Sequence, residues 1–173
     1  NGTIDSSGRF GNNILASGGA NNAALVWTNT NDLTFSGSAT ARTLTLTGDS
    51  TGDNELWAHL VNNGAGALSF TKAGAGLWLL NPSSSNVHSG ATTVTGGALQ
   101  VLPSTAAVQG LSANSNLVLN GGVIQTAGSF TQTLGTGAGQ VQLPFGFSGF
   151  SSSGVGATPK LTVTLGGGPI TWG

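Results

Sequence analysis

The sequence contains no cysteine and no methionine. The first absence excludes disulfides and thiolate metal sites. The second leaves little to oxidise, and both suit a chain exported to oxidising surroundings. Charge is scarce as well: Asp, Glu, Lys and Arg make up 5% of 173 residues, where an ordinary domain carries about 25%. Four cations cannot build a phosphate-tracking groove, and a net charge of −1 gives no attraction to nucleic acid or an anionic membrane. Glu, Lys and Arg are too few to drive helices, and 30 glycines recur along the chain. No apolar run approaches the roughly 20 residues of a spanning helix. No signal peptide and no initiator methionine are present, so the chain reads as a piece of something longer.

What remains is aliphatic residues, Ser, Thr, Asn and Gly, with a slightly positive mean hydropathy. A disordered chain would be poor in apolar residues and rich in charge; this one has the material for a core. Short strand-like runs fill it, among them Leu33-Thr34-Phe35, Thr43-Leu44-Thr45-Leu46-Thr47 and Leu56-Trp57-Ala58-His59-Leu60-Val61. Leu77-Trp78-Leu79-Leu80 and Leu161-Thr162-Val163-Thr164-Leu165 are further examples. Many alternate apolar with small polar residues, the period of a strand with one buried face. Gly, Asn and Ser clusters separate them. Such spacing fits a β-sandwich as well as a solenoid. Repetition favours the solenoid: Gly96-Gly97-Ala98-Leu99-Gln100-Val101 recurs 25 residues later as Gly121-Gly122-Val123-Ile124-Gln125-Thr126. Scarce charge fits too, since stacked repeats would place like charges about 5 Å apart. The expected fold is all-β, a parallel β-helix with short strands and Gly/Asn/Ser-rich turns, with a β-sandwich as the rival.

Residues 70–101 read FTKAGAGLWLLNPSSSNVHSGATTVTGGALQV. The opening Thr71, Lys72, Gly74 and Gly76, and the closing Ser89, Gly90, Thr92, Thr93, Val94, Gly96, Gly97, Leu99 and Val101, resemble the autotransporter-associated β-strand repeat of bacterial surface and passenger proteins. His88 departs from the pattern where an aromatic is commoner, and Ala91 replaces a Gly. The resemblance implies a right-handed parallel β-helix, exposed on or released from the cell surface. It implies a scaffold, spacer or adhesive stalk and brings no catalytic residues.

Candidate sites are few. Asp49, Asp53 and Glu55 supply oxygens for Ca²⁺ but match no calcium-loop spacing, so they read as a solvated loop. Asp32 and Asp53, with Arg42, are the carboxylates and cation a polysaccharide-cleaving β-helix would need to gather. His59 and His88 are too few for a zinc site and read as surface or turn histidines. Trp78 reads as core; Trp27 and Trp57 are candidates for sugar stacking. The glycine runs 135–139 and 166–168 read as turns, since no Lys-Ser/Thr or helix follows. Phe145, Phe147 and Phe150 lie in an irregular Phe/Gly-rich stretch at about 144–159, a candidate partner-contact patch.

These readings describe one β-helical segment over 1–173, with 70–101 its best repeat, in an extracellular or cell-surface protein. No cofactor or metal is expected. The leading function is a non-catalytic scaffold, stalk or filament; the alternatives are a surface adhesin or glycan-binding module, then an enzyme. The expected partners are further copies of the chain, a surface glycan or another surface protein. No polar capping unit is evident at either end, which makes Asn1, Gly2, Trp172 and Gly173 candidate contacts for head-to-tail stacking.

Overall fold

The computed structural model describes residues 2–5, 23–102, 110–144, 147–153 and 160–167, with backbone alone for 2–5. Through most of it, each coil lays one strand on each of two sheets. The chain passes through β1 (Gly2–Asp5) and β2 (Val26–Trp27), then β3 (Arg42–Thr47) and β4 (Asn54–Leu56). Next come β5 (Leu68–Lys72) and β6 (Leu77–Leu80), β7 (Thr92–Val94) and β8 (Ala98–Val101), and β9 (Leu117–Leu119) and β10 (Val123–Thr126). The last described strands are β11 (Gly128–Leu134), β12 (Gln140–Gln142), β13 (Gly149–Ser152) and β14 (Leu161–Gly166). One sheet has the order β1-β3-β5-β7-β9-β12-β11-β14 and the other β13-β10-β8-β6-β4-β2. Every ladder between these strands is parallel. The result is a β-solenoid of about five turns; an antiparallel sandwich is excluded.

Register explains the sequence pattern. The repeated Gly-Gly segments stack as neighbours, with Ala98 on Val123, Leu99 on Ile124 and Gln100 on Gln125. The inward residues therefore form columns. Leu44, Phe70, Thr92, Leu117 and Val141 make one, and Asn54, Trp78, Leu99, Ile124 and Phe150 another. On the first sheet an outward row between them is small and neutral: Thr45 stacks on Thr71, and Thr71 on Thr93. Close rungs also explain the glycine pair. Gly97 has φ +59°, and a Cβ there would sit 2.3 Å from the Gly76 carbonyl oxygen.

The coil closes along a third, irregular side, where the expected strand over 33–35 does not form and the run 56–61 is strand only to Leu56. Single hydrogen bonds hold it instead. Leu33 N donates to His59 O at 2.8 Å and Val87 N to Leu60 O at 3.0 Å. Asn86, 2% exposed, accepts from Leu60 N at 2.7 Å and donates to Gly110 O at 2.7 Å. One buried side chain thus ties three coils together and leaves no amide unpaired.

Regularity lapses near β11. This strand pairs with β12 through Thr133↔Gln140 and Leu134↔Val141, so β12 lies between β9 and β11. A parallel return normally takes a dozen residues or more. Here Asn116 of the preceding coil holds the tight turn, donating to the Gly135, Gly137 and Gln140 carbonyls at 2.8–3.0 Å. Within the stretch read as irregular, Gly149–Ser152 is strand β13 and extends the second sheet beside β10.

A column transmits damage vertically. Phe70 is fully buried, so Phe70→Ala is expected to cost about 3–5 kcal/mol by urea denaturation. Val163→Ala, at the exposed edge of the same sheet, should cost under about 1 kcal/mol.

Candidate functional site

Two ionisable side chains, Lys72 and His88, lie buried inside the coil, and a third, His59, reaches the surface. Lys72 is fully buried, in column between Leu46 and Val94. Among the described residues it has no carboxylate in ion-pair range; its Nζ donates to the carbonyls of Ala73 at 2.7 Å, Gly74 at 2.9 Å and Gly96 at 3.0 Å. Three acceptors match its three protons, so the cation fastens one turn to the next. Burial lowers its pKa to about 8, against the opposing pull of Asp49.

His88, expected at the surface, is also fully buried. Its Nε2 lies 2.9 Å from Thr92 Oγ1, which lies 3.0 Å from Ser115 Oγ, which donates to Gly90 O at 2.7 Å. The last bond fixes the direction of the chain, so Nε2 carries the proton and Nδ1 is bare. Nδ1 has no partner. Burial first, then the neighbouring His59, push the His88 pKa down to about 4, against the Leu60 carbonyl. This imidazole–hydroxyl pair is sealed from substrate and cannot serve as a nucleophile and base.

His59 does reach the surface. Its Nδ1 lies 2.8 Å from Asp32 Oδ1 on the preceding coil and its Nε2 2.8 Å from Ser85 O on the following one. Both partners carry acceptor oxygens, so both ring nitrogens are engaged. An open polar trough of about 640 Å³ surrounds it. The lining comes from 29–32 and Thr34 on one coil, His59 on the next, and Ser83 and Ser84 on the third. An Asp–His pair beside serines has the components of a hydrolytic triad. Here Nε2 is committed to a backbone carbonyl, so it activates no hydroxyl.

The other expected groupings do not assemble. Asp53 and Arg42 are absent from the trough that holds Asp32, and Arg42 donates to Ser38 O at 3.4 Å. Asp49, Asp53 and Glu55 form no common cluster: no group of three His, Cys, Asp or Glu able to hold a metal occurs among the described residues. Asp49 Oδ1 accepts from Ala75 N at 3.4 Å, while Glu55 accepts from Trp57 Nε1 and Asn81 Nδ2. Trp78 is core, with Nε1 donating to Thr47 O at 3.1 Å. Trp27 pairs with Leu56, an inward position, and is exposed on the outermost rung of its sheet. Trp57 faces outward, between buried Leu56 and Ala58. Phe147 stands free in solvent, whereas Phe150 packs on Phe130 with ring centroids 5.1 Å apart. These two rings therefore share no face. Phe145, Asn1, Trp172 and Gly173 lie outside the described residues. Gly2 pairs with Leu44.

The two buried groups give pH signatures of opposite placement. A His held neutral contributes stability that is complete above its unfolded pKa of about 6.5 and is lost as pH falls toward 4. The difference in unfolding free energy between wild type and His88→Phe is expected to change by about 3 kcal/mol over that window in urea titrations. Lys72 is destabilising while charged, so its cost should fade as pH rises from about 8 to 10.5. Lys72→Met should flatten that alkaline limb.

The geometry is that of a stacked, hydrogen-bonded rod with one open polar trough, and comparison with known proteins agrees with it. The family model described as passenger-associated-transport-repeat matches residues 70–101, spanning β5 to β8. Over 71 residues the chain is 45% identical to a protein named adhesin BmaC autotransporter, from Brucella suis biovar 1 (strain 1330). That match covers 41% of this chain and 2% of the relative's length. No solved structure matches the chain. Repeat match, relative and coil geometry together support a resemblance to autotransporter-associated repeat proteins, carried by residues 70–101.

Proposed function

We propose that this chain is a segment of a surface-exposed or secreted passenger domain, and that it works by adhesion without catalysis. The observation that carries the reading is the 45% identity over 71 residues to a protein named as an autotransporter adhesin. The fold supplies the physical means. Stacked coils add by nearest-neighbour contacts, so a solenoid is a stiff spacer whose outer face is presented along its length. The interior is closed by its own hydrogen bonds, as at Lys72, Asn54 and Asn86. Contacts with a partner therefore fall to outward side chains and to loops such as 29–34 and 81–85.

Beads coated with the purified chain are expected to attach to epithelial monolayers well above albumin-coated beads, with soluble chain competing. Attachment no greater than albumin, by chain whose circular dichroism shows intact β-structure, would reject adhesion and favour a passive spacer.

A further inference from the structure

The outward row Glu55, Trp57 and His59 differs from the rest of the surface. Leu56 and Ala58 between them, and Leu60 after them, are buried, so the three side chains face outward. Elsewhere the outward positions are mostly small and hydrated. Here each is held. Glu55 fixes the indole of Trp57 through Nε1 and is itself held by Asn81 of the next coil. His59 is held between Asp32 and Ser85. The half-buried indole thus has a fixed orientation, two residues along the chain from His59 of the trough wall. Trp57 N bonds Trp27 O and Asn81 N bonds Leu56 O, so the loops carrying Asn29 and Ser83 flank this row on either side.

We infer that this row and trough bind a neutral glycan, with a pyranose ring stacked on Trp57 and its hydroxyls met by Asn29, Asn31, Asp32, Ser83 and Ser84. The inference rests on the adhesive reading and names the ligand class for it. Three features select that class. The wall is built of amides and hydroxyls, groups that both donate and accept, as sugar hydroxyls do. Among the described residues its one carboxylate, Asp32, has Oδ1 committed to His59. Both nitrogens of His59, the one potential cation among the described lining residues, are engaged, so an anionic ligand would meet Asp32 without a compensating charge from them. An extended peptide would need an unpaired strand edge or apolar pockets, and the coil carrying Trp57 is paired on both sides. An open site of this kind binds weakly, with a dissociation constant of about a millimolar.

The test is a titration of the ¹⁵N-labelled 173-residue chain, followed by NMR, with neutral hexasaccharides of glucose, mannose and galactose and with a heparin hexasaccharide. Saturable shifts of the Trp57 indole N–H and of amides in 29–34 and 83–84 are expected with at least one neutral sugar. Trp57→Ala should weaken binding at least tenfold, and Trp57→Phe should retain most of it. Ser83→Arg, in an exposed loop, obstructs the trough without touching the core and should abolish binding even if Trp57→Ala unfolds. Phe147→Ser should leave binding unchanged. Saturation by heparin alone, shifts confined to other surfaces, or no neutral sugar bound at high millimolar concentration would overturn the proposal. Beads that adhere to cells while neutral sugars neither bind nor compete would sink the glycan site and leave adhesion standing. Sugar binding without bead attachment would do the reverse.

Discussion

Parallel pairing in register puts each side chain directly above its equivalent, about 4.8 Å away on the next coil. That spacing governs the rest of the molecule. Apolar residues above one another make continuous columns, so Leu44, Phe70, Leu117 and Val141 bury one another without any long-range packing problem to solve. The same spacing is hostile to charge, because identical groups on successive coils repel. The threonine stack of Thr45, Thr71 and Thr93 is the neutral solution on the outer face. At turns the backbones approach so closely that a side chain has no room, as Gly97 shows against Gly76.

A column also exposes its own weakness, since any polar atom inside it must be satisfied by the coil above or below. Asn54 stands in column with Trp78 and Leu99 and is fully buried. It accepts from Leu25 N at 2.9 Å and donates to Leu77 O at 2.8 Å, one coil on either side. Lys72 solves the same problem with three carbonyls. Carbonyl dipoles are weaker partners than a carboxylate, and the depressed lysine pKa is the residual cost. Such groups add less to net stability than apolar packing would. Their geometric demand is strict, however: a slip of one residue would leave a buried charge unpaired. Polar residues in the columns therefore guard register, which a uniformly aliphatic stack would specify poorly.

Much of this was legible in the sequence. Period-2 runs between glycine and asparagine clusters located most rungs, and the 25-residue recurrence of the Gly-Gly segment gave a stacking register found residue for residue in Ala98, Leu99 and Gln100. Lys72 was matched as a repeat position, but its burial was not foreseen because lysine is rarely buried. The signal was present, since Leu68, Phe70 and Lys72 share the inward parity of one strand. His88 was misread for the same reason, and no local pattern marks it, because the third side of the coil is held by single bonds that follow no period. β13 was hidden by its composition: Gly149, Ser151 and Ser152 around one Phe have little strand character until β10 supplies a partner.

A regular solenoid offers a partner little to recognise, because its outer face repeats small neutral groups. Recognition needs a departure from the repeat, and the departures here concentrate on the irregular third side. Sheet hydrogen bonds leave less freedom to change length between the sheets, where Leu44 to Leu56 spans 12 residues and Thr92 to Val101 spans 9, than on the third side, where Trp27 to Leu44 spans 17 and Leu80 to Thr92 spans 12. The spacing between equivalent rungs shows this freedom: Val26 to Glu55 spans 29 residues, while Leu77 to Ala98 spans 21. The coil between Val26 and Glu55 is the one that contributes 29–34 to the trough wall. Extra length therefore goes where the backbone is least committed, and the rigid rungs on either side fix where it projects. That division lets one scaffold vary its contact surface while the columns beneath it stay unchanged.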